Sequence, residues 1–165
     1  MKRGRAITLL ALASCYLAQP AFAACPIELS VYRDRDGVAE VNFRPTGEAV
    51  AVTNAFRMIV GEATVFEGFV MWTEEPSRPY GMVNHNCPEG DVTGAEIEAC
   101  TVWQGAIYAV DAAGAVSLLP REGEAAPPRL IFADLAAGMQ TSPAYAAAGL
   151  STLPFDVFDL SGCQE

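Results

Sequence analysis

Four cysteines constrain this chain more than any other feature: Cys25, Cys87, Cys100 and Cys163. Cys25 and Cys163 bracket nearly everything that follows an apolar leader, and Cys87 and Cys100 flank one polar segment. An even cysteine count behind an export leader predicts an oxidising compartment and two disulfides. Three pairings are open. Joining Cys25 to Cys163 and Cys87 to Cys100 would tie the chain ends together, which commonly lie close, and would close the polar segment separately. No Cys-x-x-Cys occurs, which argues against a thioredoxin-like redox role.

The leader begins with Lys2, Arg3 and Arg5, continues through AITLLALASCYLA and ends in QPAFA. A basic start, a short apolar middle and a small-residue exit form a secretory signal. The apolar middle is shorter than the roughly 20 residues of a membrane-spanning helix. Two cuts compete. Ala21-Phe22-Ala23 before Ala24 fits ordinary signal cleavage, giving a signal peptide over 1–23 and a single domain over 24–165. Leu12-Ala13-Ser14 before Cys15 resembles a bacterial lipobox, and that cut would leave a lipid-anchored protein of the envelope. Pro20 favours the first cut, because it stops the apolar helix and keeps the site extended. The expected location is therefore periplasmic or secreted, with a lipoprotein anchored at Cys15 as the alternative.

Past residue 23 the chain holds seven arginines, no lysine and all twenty acidic residues, hence a net charge of −13. So negative a surface repels phosphate and anionic lipid, which excludes nucleic acid as the expected partner. A small molecule or a cationic protein suits it better. No apolar run after the leader reaches spanning length, so no transmembrane segment is expected in the mature chain.

The local patterns are mostly those of strands. Ile27, Leu29 and Val31 alternate with polar residues before Asp34-Arg35-Asp36-Gly37, and Val41 and Phe43 alternate after it, predicting a hairpin. Residues 48–60 fit a strand better than a helix, since β-branched residues abound. Gly61-Glu62 reads as a two-residue turn into ATVFEGFVMW, a strand apolar on both faces and so expected at the centre of a sandwich or barrel. Residues 73–91, with three prolines and no sustained period, read as one long loop, the kind that often carries function. Thr93-Gly94-Ala95-Glu96 fits a capping box opening a helix to Cys100. A further hairpin turns at Asp111–Gly114. RLIFADLAAGM is ambiguous, Ser142-Pro143 opens a short helix, and PFDVFDLSGC closes the chain as a strand. The expected fold is mainly β, sandwich- or barrel-like with antiparallel hairpins and two or three short helices; an α+β arrangement is the alternative.

Catalytic motifs are scarce. The sequence has no Gly-x-Ser-x-Gly elbow, no His-Glu-x-x-His and no phosphate loop, so it leans away from an enzyme. Its one histidine, His85, has Ser77 and Asp91 nearby in sequence, but a triad is a matter of geometry. In an extended segment His85, Cys87, Glu89 and Asp91 would face one way, with Met82 upstream. Such a set could hold copper or zinc unless Cys87 is oxidised, so His85 is the weak metal candidate and no cofactor is expected. Asp34–Gly37 lacks the further ligands of a calcium loop and reads as a turn. Trp72, Tyr80, His85 and Trp103 are the candidate binding residues. The favoured reading is an exported, non-enzymatic module that binds a ligand or partner through residues 73–91. A small hydrolase or metal-dependent protein centred on His85 is the alternative.

Overall fold

The computed structural model describes residues 24–47 and 51–165. The leader, its two cut points and Cys15 lie outside the described residues. Among the described residues nine strands form one antiparallel sheet: β1 (Ser30–Asp34), β2 (Ala39–Arg44), β3 (Asn54–Val60), β4 (Thr64–Trp72), β5 (Pro79–Asn84), β6 (Thr101–Val110), β7 (Val116–Leu118), β8 (Arg129–Phe132) and β9 (Val157–Cys163). From β1 to β6 each strand pairs with the next; β6 then pairs with β8, β8 with β9, and β9 with β1. The sheet thereby closes into an eight-stranded up-and-down barrel, with β7 added beside β6. Three short α-helices among the described residues complete it: α1 (Gly94–Cys100), α2 (Leu135–Thr141) and α3 (Pro143–Ala147).

Turn chemistry accounts for the hairpins. Gly37 adopts φ +66°, and its N–H donates to the Asp34 carbonyl at 3.1 Å. The Asp111 carboxylate accepts from the N–H groups of Ala113 and Ala115, both at 2.8 Å. Directly opposed charges line the outer wall: Arg33 with Glu40, Arg57 with Glu67, and Arg129 with Asp159. Exposed pairs of this kind contribute at most about 1 kcal/mol each, but they mark the outer wall as water-facing.

The inner face is packed solid. Eight strands leave an interior just wide enough for side chains to fill, and here aromatic rings fill it. Phe43 meets Phe56, Phe56 meets Phe132, and Phe132 meets Phe158 and Trp103, with ring centroids 5.1–5.7 Å apart. Gly68 makes room for this chain of rings, since a Cβ there would stand 2.1 Å from the Phe56 ring.

Several expectations are corrected. In β1 the buried residues are Ser30, Tyr32 and Asp34, not the Ile27–Leu29–Val31 row, because residues 27–29 form a 3₁₀ turn that resets the alternation. Ile27 is still fully buried, as part of a strap across one barrel end. Buried Asp34 is satisfied by the N–H groups of Ala39 and Phe155. The turn after β3 spans residues 61–63, since Val60 pairs with Thr64. Strand β3 takes up the second half of the stretch read as strand, and residues 48–50 lie outside the described ones. β4 buries only Phe66, Gly68 and Val70; Glu67 on its outer face pairs with Arg44 and Arg57.

The largest correction concerns residues 73–91, which are not one loop. β5 occupies Pro79–Asn84 and bridges β4 and β6. Pro79 is tolerated at the first position of a strand, and Gly81 dilutes the apolar pattern that would have announced it. RLIFADLAAGM divides into β8 and α2, separated at Asp134, whose φ is +55°.

Candidate functional site

The helices lie at one end of the barrel, because they sit in the β5–β6 and β8–β9 connections. The other end is closed by residues 25–29 against residues 120–128. There Ile27 N–H donates to the Glu124 carbonyl at 2.8 Å and Ala126 N–H to the Cys25 carbonyl at 2.7 Å. Each end carries one disulfide: Cys25–Cys163 at the strap and Cys87–Cys100 at the helices. Both bridges indicate an oxidising environment.

α1 is held mainly at its two termini. Thr93 and Glu96 form the reciprocal capping box, and Cys100 is the helix's buried residue and carries the sulfur bridge. The bonds from Thr93 hold the Glu96 carboxyl below its ordinary range. In α2, Leu135 and Met139 are buried, and the Asp156 carboxylate accepts from the Ala136 N–H at 2.8 Å. α3 starts at Ser142, whose hydroxyl accepts from the Tyr145 N–H and donates to the Thr101 carbonyl.

Between α1, the β5–β6 pair and α2 opens a cleft of about 800 Å³. Its apolar lining includes Met82, Ile97 and Trp103, and its polar lining Glu98, Gln104 and Asp134. Trp103 is seated by three glycines. A Cβ at Gly81, Gly105 or Gly138 would come within 3.1, 2.7 and 2.7 Å of the indole ring. Its Nε1–H donates to the Ala133 carbonyl at 3.1 Å. The cleft is thus a concave surface about equally polar and apolar, with the largely buried Trp103 at its floor.

A second groove, of about 330 Å³, lies on the other side of α1 and is lined by His85, Asn86, Pro88, Cys100 and Ala144 among others. The His85 ring stands edge-on to Phe66 at 5.1 Å, and its Nε2 is 3.0 Å from the Asn86 side-chain nitrogen. Its buried Nδ1 has no hydrogen-bond partner among the described residues. Cys87 is oxidised, so it offers no thiolate to a metal beside His85. Among the described residues no three His, Cys, Asp or Glu side chains are grouped to hold a metal ion.

The four candidate binding residues do not converge. Trp103 lines the cleft and His85 the smaller groove. Tyr80 shares a face of β5 with cleft-lining Met82, one alternation further along. Trp72 sits at the end of β4 opposite Pro79, with the Arg121 guanidinium 4.6 Å above its ring. Gln104 and Asp134 were not singled out in the sequence. Isolated glycines inside strands signal close approach, so Gly81 and Gly105 were the readable hint. No family model, curated protein or solved structure matches the chain.

Proposed function

We propose that the chain is a non-enzymatic binding module of the periplasm or the exterior, and that it holds a small molecule in the cleft between α1 and α2. The observation that carries this reading is a filled barrel interior beside an open cleft of about 800 Å³. A barrel packed with its own rings has no room for a guest, whereas the cleft is concave and mixed in polarity. The binding role expected of residues 73–91 contracts to Met82, which that segment contributes to the cleft. The histidine of the chain faces Phe66 and Asn86 rather than a hydroxyl, which favours binding over hydrolysis.

Trp103 supplies the test. The chain has two tryptophans, so a Trp72→Phe variant isolates the emission of Trp103. Titration with 4-methylphenol and with tyramine is expected to shift that emission to saturation with at least one probe. Gln104→Trp, which fills the cleft, should abolish binding of the same probes measured by calorimetry, while His85→Ala leaves it unchanged. Saturable binding that survives Gln104→Trp would place the site elsewhere and overturn the reading.

A further inference from the structure

We infer that residues 86–99, which carry most of α1, are a movable wall of the cleft. This flap is closed in the free protein, opens apart from the barrel by pivoting at the Cys87–Cys100 bridge, and is braced by a guest. The inference rests on the cleft being the binding site.

The flap leaves the barrel where β5 ends beside the start of β6, with Asn84 opposite Thr101. There the His85 N–H donates to the Cys100 carbonyl at 2.9 Å, and the Cys87–Cys100 bridge closes the base. Beyond that base little fastens it. Among the described residues, no hydrogen bond or ion pair joins residues 86–99 to anything outside 85–101. The segment holds Glu89, Asp91, Glu96 and Glu98 and no basic residue. None of its side chains is buried: Cys87, Val92 and Ile97 are half-buried and the rest are exposed.

Hollows lie on both sides of α1. Gly94, Ile97 and Glu98 line the cleft of about 800 Å³, and Glu96, Ala99 and Cys100 the groove of about 330 Å³. The other two helices are anchored differently. α2 buries Leu135 and Met139, and the Asp156 carboxylate accepts from its first turn. α3 buries Ala144 and Tyr145 and is tied to β6 through Ser142. One wall of the cleft is therefore fixed and the other loosely held. A segment with few buried apolar contacts and exposed backbone bonds opens well below the free energy of global unfolding. The bridge keeps the C-terminal end of α1 at the barrel and so sets the pivot, leaving residues 90–94 free to swing. A guest that touches both walls adds the contacts the flap lacks, so binding and closure are linked.

Native-state hydrogen exchange of the helical amides of α1 tests the inference on the parent protein. These amides are expected to exchange by local opening, at a rate that low urea leaves unchanged, while amides of β5 and β6 exchange faster as urea rises. 4-Methylphenol at about ten times its dissociation constant, measured by calorimetry, should slow the α1 amides about tenfold. In a Cys87→Ser/Cys100→Ser variant they should exchange about tenfold faster, short of the full loop-entropy factor because β5 and β6 still hold the base of the flap together. α1 amides that follow urea with the slope of the strands would place the flap in the barrel's cooperative unit and overturn the inference. Unchanged α1 exchange in the serine variant would overturn it too; should that variant not fold, the urea series on the parent decides alone. If 4-methylphenol binds and leaves the α1 amides unslowed, the wall does not close on the guest, and the inference fails while the cleft stands. If neither 4-methylphenol nor tyramine binds the parent protein at millimolar concentration, the cleft itself is wrong and the wall's role falls with it.

Discussion

Replacing Cys25 and Cys163 together by serine will lower the stability of the protein by about 5 kcal/mol, as loop entropy predicts for so long a closure. The two residues are 138 apart in sequence, and the strands they anchor are the ones that close the barrel. β9 pairs with β1 from Ser30 opposite Cys163 to Asp34 opposite Phe158, and the Gln164 N–H donates to the Leu29 carbonyl at 2.7 Å. Without the bridge, that seam must form between strands from the two ends of the chain, and the strap contacts of residues 25–28 with residues 123–126 close only part of that distance. Urea unfolding followed by far-ultraviolet circular dichroism measures the effect. A loss of that size is about a third or more of the 5–15 kcal/mol typical of a domain. A change below about 1 kcal/mol would mean that the seam does not depend on the bridge, contrary to the loop-entropy account. The Cys87–Cys100 bridge closes a much shorter loop, with a separation of 13 residues, and its removal should cost about 3 kcal/mol on the same account.

Phe132→Ala will destabilise the protein by about 3–5 kcal/mol, the range for deleting a fully buried ring. Phe132 has no exposed surface and touches Phe56, Trp103 and Phe158 through ring centroids 5.7, 5.6 and 5.1 Å away. Few neighbours can collapse into the gap, because each is held in turn by another ring or by the barrel wall. The same variant should loosen Trp103 in its glycine seat, so its emission should move to longer wavelength even in folded protein. Denaturant midpoints at unchanged slope give the energy. A cost below about 1 kcal/mol would contradict a filled interior and would reopen the barrel lumen as a place for a guest.

What the sequence revealed was local. Asp34–Gly37, Asp111–Gly114, the Thr93–Glu96 box and Ser142-Pro143 each carry their chemistry within four residues, and each forms the turn or helix start that chemistry demands. Closure was not legible. Whether strands make a sandwich or a barrel here depends on Tyr32 meeting Leu160, and no short pattern encodes a pairing across the whole chain. β5 was hidden because its inward positions are Pro79, Gly81 and Val83, of which only Val83 looks like a strand core residue. Its glycine exists for Ile107 and Trp103, whose rings and methyls occupy the space a side chain would take. The cleft was hidden for the same reason. Glu98 and Asp134 come from different connections, and only the barrel brings α1 and α2 to one end. Gly138 inside a helix looks like a weakness until Trp103 is seen against it.

The central claim is that the barrel interior belongs to the protein's own side chains and that any guest sits outside, between α1 and α2. Amide chemical-shift mapping with tyramine on isotope-labelled protein tests it most directly. Perturbations confined to Met82 and to residues 97–105 and 133–138 are the predicted result, with Phe56, Met58 and Phe66 unmoved. Shifts centred on those three interior residues, or on Trp72 at the other rim, would contradict it.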